Sequence, residues 1–97
     1  MEPVDEVKQK LHRALSVLRR EYPIKNLGLF GSYGRGEATK SSDLDILIEF
    51  ERPISLLRFV ALERRLSDLL GVKVDLVMKS ALKPHIGKRI LEEVIPV

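Results

Sequence analysis

Residues 43–78 read DLDILIEFERPISLLRFVALERRLSDLLGVKVDLVM, two short apolar runs on either side of a helical pattern. In the first run Leu44, Ile46, Ile48 and Phe50 recur at every second position, which predicts a strand over residues 44–50 with one apolar face. The second, VKVDLVM over residues 72–78, alternates in the same way through Val72, Val74, Leu76 and Met78. Between them Arg52 and Pro53 break the chain. Leu56, Leu57, Val60, Leu66, Leu69 and Leu70 then describe an amphipathic helix, with Gly71 where a left-handed C-cap belongs. A strand, a helix and a strand of these lengths suit a right-handed parallel crossover.

Upstream, Val4, Val7, Leu11, Leu15 and Leu18 predict a helix over residues 4–21, ending before Pro23. Ile24 to Phe30 reads as a strand weakened in the middle by Asn26 and Gly28. Downstream, Pro84 suits the first turn of a last helix carrying Ile86, Ile90, Leu91 and Val94. The expected fold is α/β, in the α+β sense: a small mixed sheet with helices packed on one face. A length of 97 residues without linker or repeat predicts one domain spanning 1–97.

Composition narrows the class further. There is no cysteine, so disulfides, thiolate metal sites and thiol nucleophiles are excluded. The charged N-terminus, MEPVDEVKQKLHRAL, is no secretory signal, and no apolar run approaches a membrane span. A cytoplasmic protein is expected. The net charge of +3, from 17 basic and 14 acidic residues, is too small to argue for a nucleic-acid partner.

The chemistry sits in the acidic residues. Asp43 and Asp45 are two positions apart and leave one face of the first strand of the quoted stretch. Asp75 interrupts a valine-rich strand, where aspartate is depleted. If the two strands are neighbours, all three carboxylates share one patch of sheet. Same-face neighbours about 6–7 Å apart repel by roughly 2–3 kcal/mol at an effective dielectric near 20. Such a face calls for a counter-charge. Hard oxygen donors without nearby histidine or cysteine suit magnesium or manganese rather than zinc. The plainer alternative is an ordinary surface ion-pair network in which Arg35, Lys40 or Lys73 neutralises the acids.

Before the aspartates, Gly31-Ser32 opens the loop GSYGRG. Glycine lets backbone approach a ligand closely, and free amides with a serine hydroxyl can hold phosphate oxygens. Arg35, between Gly34 and Gly36, suits a phosphate or a carboxylate. Glycines that merely let the chain turn would look the same. Neither the P-loop pattern nor the dinucleotide fingerprint is present.

Gly31-Ser32, ten intervening residues and Asp43-Leu44-Asp45 resemble the G-S-x10-D-x-D signature of the polymerase-beta-like nucleotidyltransferases. The fuller run GSYGRGEATKSSDLDILIEF resembles the minimal nucleotidyltransferases, the MntA-like antitoxins of HEPN–MNT modules, and the order of elements fits along nearly the whole chain. The resemblance implies a polymerase-beta-like core in which Gly31 and Ser32 hold a nucleotide triphosphate. It implies Asp43, Asp45 and Asp75 as ligands of two magnesium ions (manganese can substitute), and on residue chemistry Asp75 is equally a candidate proton acceptor, ligand and base being indistinguishable from sequence. Arg35 matches an arginine position of the family.

The leading expectation is therefore transfer of AMP from ATP to a hydroxyl, a tyrosine by resemblance, of a partner HEPN toxin. A second reading keeps the chemistry but gives it a small-molecule or RNA acceptor, for which the chain carries no added binding half and no pronounced basic patch. A third makes the chain a toxin-masking module. Ile90, Val94 and the tail VIPV would supply its interface, although core is the commoner fate of such residues. Self-association is left open. His12 and His85 are expected at the surface, away from the chemistry.

Overall fold

The computed structural model describes residues 3–31, 43–82 and 84–97. Its elements follow in the order α1 (Pro3–Leu18), β1 (Ile24–Phe30), β2 (Leu44–Phe50), α2 (Leu56–Leu70), β3 (Val74–Met78), a 3-10 turn (Lys79–Ala81), α3 (Pro84–Glu93) and β4 (Ile95–Pro96). The sheet order is β3-β2-β1-β4. β1 runs antiparallel to β2 and β4, while β2 and β3 are parallel, joined by the expected crossover through α2.

α1 and α2 cover one face of this sheet. Leu11, Leu15 and Leu18 of α1 and Leu62, Leu66 and Leu70 of α2 meet Ile24, Leu27 and Leu29 of β1, Leu44, Ile46 and Ile48 of β2, and Val74 and Leu76 of β3. The alternation expected for β2 and β3 is therefore the real one. Phe50, Val72 and Met78 pack at the margin of the same core.

α2 differs from the expected stripe. Its buried line is Leu62, Leu66 and Leu70, whereas Leu56, Leu57, Val60 and Leu69 are exposed. A leucine-rich helix offers two candidate faces, and contact with β3 and α1 selects one of them. The helix begins at Ser55, whose Oγ accepts from the Arg58 N–H at 3.2 Å, and ends at Gly71 with φ of 70°. Arg58 lies 4.8 Å over the Tyr22 ring and donates to the Glu21 carbonyl, and Arg65 pairs with Glu21, so the turn after α1 is tied to α2.

Two boundaries also move. α1 ends at Leu18 rather than at residue 21: the Arg20 and Glu21 N–H groups bond only three residues back, to the Val17 and Leu18 carbonyls at 3.2 and 3.0 Å, which tightens the chain out of the α-helix before Pro23. Lys73 precedes β3, yet its carbonyl accepts from the Leu44 N–H at 2.8 Å, so pairing starts one residue before the strand is regular.

The C-terminal tail forms a short strand that its sequence does not announce. Ile95 pairs with Leu29, the Val97 N–H donates to the Leu27 carbonyl at 3.0 Å, and Ile95 and Val97 pack on the core. A Cβ built on Gly28 would come 2.5 Å from Val94 Cγ2. Glycine in the middle of β1 is thus the gap that lets the tail approach. The tail VIPV thus contributes to the fold, with Pro96 exposed and Ile90, Val94, Ile95 and Val97 half-buried.

Candidate active site

β2 and β3 pair with Asp45 opposite Asp75. In-register neighbours point to the same side of a sheet. The residues flanking them, Leu44, Ile46, Val74 and Leu76, are buried against the helices, so Asp45 and Asp75 leave the opposite face. Asp43 stands two residues earlier, just before β2, and follows the same alternation. Asp45 is half-buried, while Asp43 and Asp75 are exposed.

β1 brings the start of the glycine loop to this point. Phe30 pairs with Asp45, and Gly31 follows with φ of 70°. A Cβ on Gly31 would lie 3.1 Å from Asp45 Cγ and 3.3 Å from Asp45 Cβ, with a carboxylate oxygen closer still. Two independent constraints therefore demand glycine here, the left-handed backbone and the carboxylate against it. Ser32, Gly34, Arg35, Gly36 and Lys40 lie outside the described residues.

At Asp43 the electrostatics are open rather than locked. Lys73 Nζ stands 3.8 Å from Asp43 Oδ2, with 79 % and 50 % of the two side chains exposed. This is one of the counter-charges expected from the sequence. Among the described residues no three acidic or histidine side chains converge as a formed metal cluster. An ion pair this exposed is worth about 0–1 kcal/mol, so turning Asp43 away from Lys73 costs little. The donor set itself, three carboxylates on one face of adjacent strands, fits hard divalent cations.

Beyond Asp45 on the same face, Leu47 pairs with Gly28 at the floor of a cleft of about 270 Å³, with Leu91, Val94 and Val97 among its other walls. Two residues outside any motif also touch the site's frame. Ser67 Oγ accepts from the Val74 N–H at 3.0 Å, and Glu63 Oε2 accepts from the Leu76 N–H at 2.8 Å. Their only trace in the sequence is their spacing, two polar residues one turn apart flanking the buried Leu66. His12 is exposed, as expected, and the His85 side chain lies outside the described residues.

Nucleotidyltransferase domains as a family match residues 11–97, almost the entire length of the fold. The chain belongs to the nucleotidyltransferase family. It is 48 % identical over 92 residues to the protein adenylyltransferase MntA of Thermococcus cleftensis, covering 95 % of this chain and 93 % of the relative. A solved structure provisionally described as a minimal nucleotidyltransferase superposes with a TM-score of 0.84 at 36 % identity, over 100 % of this chain and 97 % of the other. A chain from the complex of tri-AMPylated Shewanella oneidensis HEPN toxin with MNT antitoxin shares the fold, with a TM-score of 0.71 at 20 % identity, over 93 % and 70 % of the two chains. The polymerase-beta-like reading of the nucleotidyltransferase thus holds for its fold. Among the described residues no helix is long and apolar enough to cross a membrane.

Proposed function

We propose that this nucleotidyltransferase moves AMP from ATP onto a tyrosine hydroxyl of a HEPN-family toxin, and so serves as the antitoxin of a toxin–antitoxin pair. The observation that carries the reading is the Asp45–Asp75 register, with Gly31 backbone packed against Asp45. Support for the acceptor comes from the adenylyltransferase name of the MntA relative and from the AMPylated toxin in the complex that shares the fold. All of 1–97 acts as one catalytic domain, working in the cytoplasm, in keeping with the lack of cysteine.

In this scheme Gly31 and Ser32 line the triphosphate, with Arg35 as a further phosphate partner. The acceptor oxygen attacks the α-phosphorus, the bond from that phosphorus to the bridging oxygen breaks, and pyrophosphate leaves. The hydroxyl proton is lost to a neighbouring carboxylate. Asp43, Asp45 and Asp75 would hold magnesium, or manganese in its place; bound there, such ions offset charge on the phosphates and lower the pKa of the attacking hydroxyl. The chain's own contribution is positioning, since a carboxylate cluster on a rigid sheet loses little entropy when substrates arrive.

The test is to incubate the protein with α-labelled ATP, magnesium and the product of the neighbouring gene, and to compare wild type with Asp45→Asn. Label on a tyrosine of the partner in the wild-type reaction alone is the expected result. No label on the partner, together with full neutralisation of its toxicity by a triple aspartate variant, would instead favour masking. Efficient labelling of an RNA or a small molecule would redirect the acceptor.

A further inference from the structure

β3 carries Asp75, is five residues long and, among the described residues, is the edge of the sheet with β2 as its one strand neighbour. A short parallel edge of this kind is where a sheet opens most easily. One side of β3 bonds β2. On the other, the Val74 and Leu76 N–H groups, immediately before and after Asp75, would face outward, and α2 takes both of them. Ser67 Oγ accepts the first and Glu63 Oε2 the second, and Ser67 Oγ also donates to the Glu63 carbonyl at 3.1 Å. Glu63 and Ser67 stand one helical turn apart, so the two acceptors are spaced along the strand by the helix itself. The Glu63 bond is charge-assisted and is the shorter of the two strand contacts.

We infer that Glu63 and Ser67 are positioning residues that hold the Asp75 strand in register with Asp45, so that the acidic trio can take a divalent ion. The inference rests on the reading of that trio given above. Neither residue touches substrate. Each acts through the backbone on one side of Asp75, as outer-shell groups act on ligands, where a loss commonly costs tenfold or more in metal affinity.

The test compares Glu63→Ala, Glu63→Gln and Ser55→Ala with wild type, by manganese titration and by amide hydrogen exchange without metal. Ser55→Ala removes the cap of the same helix, away from the site, and controls for simple loss of stability. Glu63→Ala is expected to weaken manganese binding about tenfold and to speed exchange at Leu76. Glu63→Gln keeps an acceptor oxygen and should stay within about threefold of wild type. Manganese affinity and Leu76 exchange in Glu63→Ala equal to those of Ser55→Ala would overturn the inference. If Glu63→Ala does not fold, Ser67→Ala asks the same question at Val74. Wild type that binds no manganese, or binds it equally well as Asp45→Asn, defeats the trio reading instead, and the exchange arm then decides alone whether Glu63 holds the strand.

Discussion

Gly31 is the residue on which backbone and chemistry meet. Its φ of 70° already disfavours any side chain by about 1–2 kcal/mol, and the Asp45 carboxylate fills the space where a Cβ would go. Gly31→Ala is therefore expected to displace Asp45. Chemical denaturation should show a loss of at least about 1 kcal/mol, and adenylyl transfer should fall further than stability explains. Lys73 has the opposite sign. It competes for Asp43 through an exposed ion pair worth about 1 kcal/mol at most, so Lys73→Ala should raise manganese affinity by up to about fivefold in a calorimetric titration.

Glu49, farther along β2, is a group whose titration departs from the ordinary. The Asn26 amide, donating at 3.1 Å, holds its carboxyl below the usual glutamate range against the opposing effect of desolvation, and Lys79 and Lys25 help. A depressed carboxyl stabilises the fold above its unfolded pKa and gives that contribution up as pH falls through the lowered folded value. Asn26→Ala should move the Glu49 NMR titration upward and blunt the acid limb of the stability curve.

Among the elements, α2 does three jobs with three sets of residues. Leu62, Leu66 and Leu70 fill the core, Glu63 and Ser67 hold the edge strand, and Arg58 and Arg65 reach the turn after α1. Its ends depend on capping. Ser55→Ala should cost about 1 kcal/mol through the lost bond to Arg58 N–H, measurable as a lower midpoint in urea. Gly71→Ala should cost about 1–2 kcal/mol from backbone conformation alone, because a Cβ there meets nothing within 4 Å. The spacing of leucines announced the helix but not its buried side. Leu56, Leu57 and Leu69 are as apolar as Leu62 and Leu66, and only the direction of the crossover distinguishes them.

The assembled fold concentrates its stability in the layer between the sheet and α1 with α2. Ile46 and Leu62 are fully buried there, and truncation of either to alanine should cost about 2–5 kcal/mol. Leu57 is 84 % exposed, and Leu57→Ser should change stability by no more than about 0.5 kcal/mol despite the leucine's size. Thermal melts of the three variants side by side would separate core from surface leucines that the sequence presents as equals.

Much of the candidate site's placement is legible in the sequence. The two-residue period puts Asp43 and Asp45 on one face of any strand they belong to, and Asp75 breaks an otherwise apolar alternation in the same sense. Period is a local property, so local sequence can carry it. What the chain could not announce was register, since a one-residue slip between β2 and β3 would have sent Asp75 into the helical layer. Tertiary packing settled that slip, through the burial of Ile46 and Leu76 on a common side. It also settled the fate of the C-terminal tail, which pairs with β1 because Gly28 leaves room for Val94. The bonds from Glu63 and Ser67 to β3 arise in the same way, because they join residues that become neighbours only once the crossover has closed.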